Sequence, residues 1–338
     1  MSSDSARRSA RTAVLETRGL CRAFRVGGAT IHALRDVDLT LEAGEIVGLL
    51  GVNGAGKTTM LKVISTLLLP SAGTARVCGR DVVEEARQVK RLVSVVFGGE
   101  RGLYTRLSAR DNIVFFGVLG GMSRREAVRR GRVALEDVGL GDAAGRPVET
   151  FSKGMKQRLH LAIGLLTTPR LLMLDEPTVG LDPVEARRVR AAVAELRASG
   201  VTVLLTSHYL GDIERLASRV VVLQAGRITH DMPLARLLEQ AGAAAEITVS
   251  GTGDAPERER LERAAACNGV KVLGLETPAQ RLAGGESWRL TLEVERWTPE
   301  SLRSLATLWP RSEVLDVHVE PASLDQVFTR LASEAPEW

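Results

Sequence analysis

A glycine-rich octapeptide at residues 51–58, with the sequence GVNGAGKT, constrains the fold of this chain more than any other segment. It fits the pattern G-x-x-x-x-G-K-[ST], in which glycines allow successive backbone N–H groups to turn inward around phosphate oxygens. The apolar residues 45–50 before it predict a buried strand, and residues 58–64 after it predict a helix whose N-terminus faces the loop. Because strand, loop and helix follow in this order, the segment predicts a nucleoside triphosphate site; a glycine-rich turn with a solvated lysine is the alternative.

The residues of this loop have separate expected roles. Lys57 supplies a point charge for the β- and γ-phosphates, and the Thr58 hydroxyl is placed to ligate Mg²⁺. The other predicted nucleotide contacts in the loop are Gly51, Asn53, Gly54, Ala55, Gly56 and Thr59. Lys57 is therefore expected both to bind the nucleotide and to take part in catalysis.

Two further apolar runs end in polar residues suited to catalysis. Residues 171–174 lead into Asp175 and Glu176, and adjacent acids at the end of a buried strand are unusual unless they handle a cation or a proton. We expect Asp175 to act on Mg²⁺, directly or through water, and Glu176, on the opposite side, to polarise the attacking water. Residues 201–206 lead to His208, which the same sheet edge would place near the γ-phosphate. A simpler alternative is that the two acids only cap the segment that follows them.

Composition limits the classes of protein that remain. With 338 residues the chain has room for one large domain and a smaller one, and no apolar run approaches the ~20 residues that span a bilayer. A net charge of +4 without a block of basic residues gives no reason to expect a nucleic acid partner. The three cysteines are scattered without metal-ligand spacing, which fits a reducing compartment. Any membrane role would therefore be supplied by a partner.

A helix start completes a set of motifs that resembles a known family. Residues 151–155, FSKGM, predict a helix with Ser152 as its N-cap and Gly154 at a close approach. In chain order, the motifs resemble those of the ATP-binding cassette (ABC) ATPases, the nucleotide-hydrolysing subunits of membrane transporters, over residues 14–235. FSKGM is similar to the family signature, and GLDP at residues 180–183 is similar to the D-loop.

The resemblance implies a dimer as well as a site. Two cassettes, either two copies of this chain or this chain with a related ATPase, would dimerise head to tail around two ATP molecules, with ATP and Mg²⁺ as cofactors. Ser152 and Gly154 would bind the γ-phosphate of ATP held on the opposite subunit, and Asp182 of the D-loop would lie at the same nucleotide. Phe24 takes the place of the aromatic residue that stacks on adenine, with a packed core phenylalanine as the alternative. The residues expected in catalysis are Glu176, Lys57 and His208, which is similar to the family's switch histidine.

Two departures from the family pattern narrow the resemblance. The glutamine that usually follows the strand is missing after residues 92–97, where GGE stands at residues 98–100. Either Glu100 substitutes for that glutamine, or the flexible glycines recruit a different group. Lys153 and Met155 stand where Gly and Gln are commonest in the signature. Both departures resemble the ABC-2 type exporter ATPases, a subgroup that includes daunorubicin-resistance and sodium-extrusion subunits.

This narrower resemblance implies an exporter. The chain would hydrolyse ATP to drive an integral-membrane permease encoded separately, and it would lie peripherally on the cytoplasmic side of the cell membrane. One alternative is a soluble ABC-type ATPase acting in translation or DNA repair, and another is a regulator that does not hydrolyse ATP. The first alternative is disfavoured because the motif set occurs once, without a coiled-coil or zinc insertion. The second conflicts with the presence of all the expected catalytic residues.

The expected fold class is α/β, with a P-loop ABC cassette that has a mixed sheet core and an inserted helical subdomain, followed by a small α+β ferredoxin-like domain. The predicted bounds are 1–13 for a disordered tail, 14–235 for the cassette, 98–165 for its helical subdomain and 246–338 for the accessory domain. The accessory domain is predicted from its order of elements, β-α-β-β-α-β.

Aromatic residues mark two further features. The family's helical subdomain has a groove that receives a permease helix, and Tyr104, Phe115 and Phe116 are candidates for lining it, with core packing as the alternative. For the tryptophans of the C-terminal domain, Trp288 among them, core and interface roles are favoured over a ligand pocket.

Overall fold

The computed structural model describes most of the N-terminal part of the chain and selected elements of the C-terminal part. The described residues are 13–99, 102–198, 200–207, 209–240, 245–252, 261–262, 270–277, 281–282, 285–294, 313–321 and 324. Contacts divide the chain into two compact units, with the boundary between Leu234 and Ala235. Two residues of the predicted site, Glu100 and His208, lie outside the described residues, as do residues 1–12 of the predicted tail.

The first unit alternates strands and helices. Its strands are β1 (Ala13–Val26), β2 (Ala29–Glu42), β3 (Ile46–Leu50), β4 (Ala72–Val77), β5 (Arg80–Asp81), β6 (Val93–Phe97), β7 (Leu171–Asp175), β8 (Thr202–Thr206), β9 (Arg219–Gln224) and β10 (Arg227–Pro233). Its helices are α1 (Lys57–Ile64), α2 (Ala86–Leu92), α3 (Ala109–Leu119), α4 (Arg124–Asp137), α5 (Lys153–Leu165), α6 (Pro183–Ala198) and α7 (Leu210–Leu216). A further helix, α8 (Leu234–Gln240), begins at the unit boundary.

The central sheet brings the ends of the predicted strands together. Its six strands have the order β10-β9-β3-β8-β7-β6, and all are parallel except β10, which pairs antiparallel with β9. The strands β3 and β8 are buried along their whole length, as expected for parallel strands with continuous apolar sequences. Asp175 at the end of β7 lies opposite Thr206 at the end of β8, and Leu49 of β3 pairs with Thr206 from the other side. The expected α/β fold with a mixed sheet is therefore confirmed.

A second sheet is antiparallel and has the order β2-β1-β4-β5. Its two long strands, β1 and β2, are joined at Gly27 and Gly28, which both have positive φ angles and suit a tight hairpin turn. Buried residues of this sheet, such as Leu20 and Leu39, share one hydrophobic cluster with Leu49 of β3 and with α1. The sequence alone did not distinguish this sheet from the central one.

Three serine-capped helices follow β6. Ser108, Ser123 and Ser152 each accept a hydrogen bond from the backbone N–H three residues later, at the starts of α3, α4 and α5. The prediction that Ser152 is an N-cap is confirmed. Within the described part of the chain, no helix is both long enough and apolar enough to cross a bilayer.

The second unit is built on an antiparallel sheet. Its strands are β11 (Ala245–Thr252), β12 (Val270–Glu276), β13 (Arg281–Leu282), β14 (Gly285–Val294) and β15 (Glu313–Pro321). The order is β12-β14-β11-β15, and β13 forms a short hairpin with β14 that the sequence did not predict. Trp288 is 1% exposed and packs in this unit's core with Ile247 and Leu290, which agrees with the favoured core role. The helices predicted between these strands lie almost wholly outside the described residues, so the ferredoxin-like arrangement stays a prediction.

Candidate nucleotide-binding site

The loop 51–58 joins β3 to α1 and is held by two other segments. Gly56 has a φ of 108° immediately before α1, and a Cβ there would lie 2.3 Å from the carbonyl oxygen of Ala33 in β2. Only glycine adopts this positive φ without strain and has no Cβ to collide with that oxygen. The N–H of Gly226 donates to the carbonyl oxygen of Ala55 at 3.1 Å, which holds the loop against the turn between β9 and β10. Of the predicted contacts, Asn53, Gly54 and Thr58 are exposed, whereas Gly51, Ala55, Gly56 and Thr59 are half-buried or buried.

Lys57 lies inside the loop with its side chain folded back over it. The Nζ atom donates to the carbonyl oxygens of Gly51, at 2.5 Å, and Val52, at 3.2 Å. Burial lowers the pKa of Lys57 below its ordinary value, and the carboxylates of Glu176 and Asp175 oppose that shift. An ammonium group has three donors, so a phosphate oxygen could accept from Lys57 without displacing both carbonyl contacts.

Asp175 and Thr58, the two residues predicted to hold Mg²⁺, are in direct contact. The Thr58 hydroxyl donates to Oδ2 of Asp175 at 3.1 Å, and the Thr206 hydroxyl donates to Oδ1 of the same carboxylate at 2.7 Å. One carboxylate with one hydroxyl is an oxygen donor set of the kind Mg²⁺ uses when phosphates and water complete its coordination. These side chains therefore fit the expected ion.

Glu176 follows the last residue of β7 and leaves the strand geometry. Its φ of 56° is left-handed, so the alternation of side chains along the strand, on which its predicted orientation rested, stops at Asp175. Its backbone N–H donates to the carbonyl oxygen of Thr206 at 3.1 Å. The end of β8 thus holds both acids, Asp175 through a side chain and Glu176 through the main chain.

The segment without the usual glutamine lies directly against these acids. The N–H of Gly98 donates to the carbonyl oxygen of Asp175 at 2.7 Å, and a Cβ on Gly98 would lie 2.3 Å from the carbonyl oxygen of Glu176. A glutamine at this position would collide with the backbone of Glu176. The glycine is therefore required by the close approach of β6 and β7 at their ends.

A buried carboxylate behind the site was missed by the sequence analysis. Asp212 of α7 accepts hydrogen bonds from the Thr178 hydroxyl, from the Ser207 hydroxyl at 3.2 Å and from Nη1 of Arg190 in α6 at 2.6 Å. Thr178 lies between Glu176 and the D-loop segment, and Ser207 comes immediately before His208. No sequence pattern marked Asp212, because one acid in a short helix usually faces solvent.

Phe24 lies in β1, close to the phosphate loop. It pairs with Ile31 of β2, two residues before Ala33, whose carbonyl oxygen a Cβ on Gly56 would meet. The ring is half-buried and does not belong to the core cluster, and the guanidinium of Arg22 lies 4.5 Å from its centroid. This cation–π contact covers one face of the ring.

The residues predicted to reach the opposite subunit lie at the starts of two helices. Ser152 is exposed, whereas Gly154 is buried against Glu185 of α6. The Asp182 carboxylate accepts from the N–H groups of Val184 and Glu185, both at 2.9 Å, and so caps α6. Within the described residues, no hydrogen bond joins Ser152, Gly154 or Asp182 to the loop 51–58.

Comparison with known proteins agrees with this geometry. The family model described as "ABC transporter" matches residues 34–179. The daunorubicin/doxorubicin resistance ATP-binding protein DrrA of Streptomyces peucetius is 35% identical, with 95% of this chain and 92% of that protein covered. The ABC transporter ATP-binding protein NatA of Bacillus subtilis (strain 168) is 39% identical, with 64% of this chain and 89% of that protein covered.

A solved structure of an ATP-binding cassette has a similar fold. An ATP-binding cassette in a dimeric post-hydrolysis state, bound to ADP and Pi, has a TM-score of 0.57 at 25% identity, with 65% of this chain and 98% of that chain covered. These similarities do not favour a soluble ATPase of translation or DNA repair, nor a regulator without hydrolysis. The chain therefore belongs to the ABC transporter family, as the ATP-binding and ATP-hydrolysing subunit of an exporter of the ABC-2 type.

Proposed function

We propose that this subunit hydrolyses ATP with Mg²⁺ in a head-to-tail dimer and thereby drives a separately encoded integral-membrane permease from the cytoplasmic face of the cell membrane. The observation that carries this proposal is the convergence of Lys57, Thr58, Asp175 and Glu176 where β3, β7 and β8 end side by side. Parallel sheets bind ligands at this edge.

Binding of the triphosphate follows from the loop and the helix behind it. Backbone N–H groups of the loop and the N-terminus of α1 attract phosphate oxygens, and the buried Lys57 adds a positive charge. The Thr58 hydroxyl and the Asp175 carboxylate would hold Mg²⁺, which neutralises charge that develops on the β- and γ-phosphate oxygens. Adenine would stack on the face of Phe24 opposite Arg22.

Catalysis is assigned to Glu176. Its left-handed backbone turns the carboxylate out of the strand direction at the end of the sheet, and its charge acts on Lys57 in the loop. A carboxylate there would orient the attacking water and accept its proton, which is worth about 10²–10⁴ in rate. His208, one residue after Ser207, is proposed to stabilise charge on the transferring phosphoryl group.

The dimer is inferred from the signature helix and the D-loop. The exposed Ser152 begins α5 and Asp182 begins α6, and helix N-termini attract anions such as the phosphates of a nucleotide on the partner subunit. The dimeric arrangement of the similar cassette bound to ADP and Pi supports this inference. The partner would be a second copy of this chain or a related ATPase.

An exposed aromatic cluster is the proposed permease contact. The rings of Tyr104 and Phe115 are 4.7 Å apart, and those of Phe115 and Phe116 are 5.3 Å apart. Tyr104 is 49% exposed and Phe115 is 39% exposed, which argues against a role confined to the core. Leu119, at the end of α3, is 71% exposed and extends this apolar surface.

ATP turnover of purified protein tests the catalytic assignment. We expect Glu176→Gln to bind ATP normally and to turn over about 10²–10⁴ times more slowly, because the general base is lost. Glu195→Gln, an exposed position on α6, is the matched control and should keep the wild-type rate. A near-normal rate for Glu176→Gln would remove Glu176 from the mechanism.

Affinity capture tests the partner. The tagged chain is recovered from detergent-solubilised membranes, with wild type compared against Glu176→Gln plus ATP. Recovery of a polytopic membrane protein supports the permease proposal. Recovery of ribosomes or DNA-repair proteins, with no membrane protein, would contradict it.

A further inference from the structure

Gly154 of the signature segment leaves a space that another helix fills. A Cβ on Gly154 would lie 2.3 Å from Oε2 of Glu185 and 2.5 Å from its Cβ and Cγ atoms. Gly154 is buried, although Ser152 two residues earlier is exposed. The volume that any side chain at residue 154 would need is therefore occupied by the side chain of Glu185.

Glu185 is held in that space by two arginines. Nη2 of Arg158, in α5, lies 3.3 Å from Oε2, and Nη1 of Arg188, in α6, lies 2.6 Å from Oε1. The side chains of Arg158 and Glu185 are only 8% and 12% exposed. Arg158 also donates to the carbonyl oxygens of Val138 and Gly139 after α4, so its guanidinium has little freedom to follow a displaced carboxylate.

The same residue is joined to the D-loop through its backbone. The N–H of Glu185 donates to the Asp182 carboxylate at 2.9 Å. The start of α6 and the start of α5 are therefore connected through one residue. A carboxylate packed beside the first turn of α5 is also favoured by the positive end of that helix.

We propose that Glu185 is a positioning residue, which fixes the exposed Ser152 and the D-loop Asp182 as one rigid surface for the nucleotide held on the partner subunit. This inference rests on the proposed head-to-tail dimer. It requires that residue 154 be glycine because the side chain of Glu185 in the same chain packs there. The competing explanation is that a phosphate from the partner subunit alone excludes a side chain.

The test is a double-mutant cycle in the Glu176→Gln background, where ATP should trap the dimer. ATP-dependent dimerisation is followed by sedimentation velocity, and binding of a fluorescent ATP analogue reports the subunit's own loop. Gly154→Ala should raise the ATP concentration needed for dimerisation by about tenfold or more, as expected for overpacking a tight contact. Glu185→Ala alone should weaken dimerisation, because Ser152 and Asp182 are then no longer held together, and adding Gly154→Ala to it should cause little further loss. Analogue binding should stay unchanged throughout.

Two controls separate the effect of the volume of the Glu185 side chain from the effect of its charge. Glu185→Gln keeps the volume of the side chain, so it should not rescue Gly154→Ala. Glu195→Ala lies on an exposed face of the same helix and should neither impair nor rescue. If Gly154→Ala is too unstable to assay, the melting temperature gives the same comparison as a double-mutant cycle. Because Glu185→Ala itself leaves Arg158 without its counter-charge, the expected result is that Gly154→Ala lowers the Tm by less in the Glu185→Ala background than in its absence.

The outcomes distinguish this inference from the dimer proposal. If the Glu176→Gln parent does not dimerise with ATP, the dimer proposal fails and this inference fails with it. If the parent dimerises but Gly154→Ala is as damaging in the Glu185→Ala background as in its absence, by both dimerisation and Tm, only the role of Glu185 is overturned.

Discussion

Replacement of Asp212 by alanine should destabilise the cassette more than its position in a short helix suggests. The Asp212 side chain is 3% exposed, and its ion-pair partner Arg190 is 19% exposed. The substitution removes the acceptor for Arg190, Thr178 and Ser207 at once. The guanidinium would then be left largely buried without its counter-charge.

The expected cost follows from these contacts. Removing one partner of a buried ion pair costs about 3–5 kcal/mol, and the partial exposure of Arg190 places this case near 3 kcal/mol. The two hydroxyls that lose their acceptor add about 1 kcal/mol, because a hydroxyl hydrogen can rotate toward another acceptor. At about 2–4 °C per kcal/mol for a domain of this size, a total near 4 kcal/mol lowers the Tm by about 10 °C.

A thermal unfolding series on the full chain measures this effect. Asp212→Asn keeps an acceptor and should lose less than Asp212→Ala. Arg190→Met combined with Asp212→Asn should be less damaging than the sum of the two single changes, with a coupling of about 1–3 kcal/mol. Arg187→Met, at an exposed position on the same helix, is the control. A Tm loss below about 3 °C for Asp212→Ala, or strict additivity in the cycle, would refute the reasoning.

The remaining predictions concern the sheet edge and α4. Gly98→Ala should lower ATP turnover by about a hundredfold, because its Cβ must displace the backbone of Glu176. Gly211→Ala, where a Cβ would enter open space, is the control and should keep the wild-type rate. Equal rates for the two variants would contradict the close approach of Gly98 to Glu176. Hydrogen bonds from Arg129 and then from Arg130 lower the pKa of Glu126 to about 2. The carboxyl ¹³C chemical shift of Glu126 should therefore show no titration between pH 5 and pH 3. Arg129→Gln should restore part of the titration in this range. The stabilisation that ionised Glu126 gives the folded state is present above its unfolded-state pKa of about 4.3 and is lost as the pH falls through its folded-state pKa. A titration of the Glu126 carboxyl near pH 4 would contradict the lowered pKa.

Much of the central sheet could be predicted because its signals are local. Three apolar runs end in the polar residues of motifs, and parallel strands bring their carboxyl ends to one edge, so the proximity of Lys57 and Asp175 follows from the sequence. Ser152 could be identified as a cap because capping involves residues only three apart. The fold class was predictable for the same reason.

Other features depend on contacts between distant segments. Nothing near Gly98 indicates that β6 ends beside the backbone of Glu176, and nothing near Gly154 indicates that Glu185 of another helix fills its space. Asp212 looks like an ordinary surface acid until α6 and the end of β8 are placed around it. The roles of the site residues in binding and catalysis stay predictions, because they concern a nucleotide and a second subunit.

The main-chain hydrogen bond from Gly98 to Asp175 joins the segment that precedes the aromatic cluster to the end of β7, next to the proposed catalytic residue Glu176. Tyr104 follows Gly98 by six residues, a span of at most about 20 Å when fully extended. A force that displaced the aromatic surface beyond that span would pull on the carbonyl of Asp175, next to Glu176. A backbone contact would transmit such a pull whatever side chains the proposed permease presents, so one cassette could be paired with transport domains of differing sequence and still sense their movement.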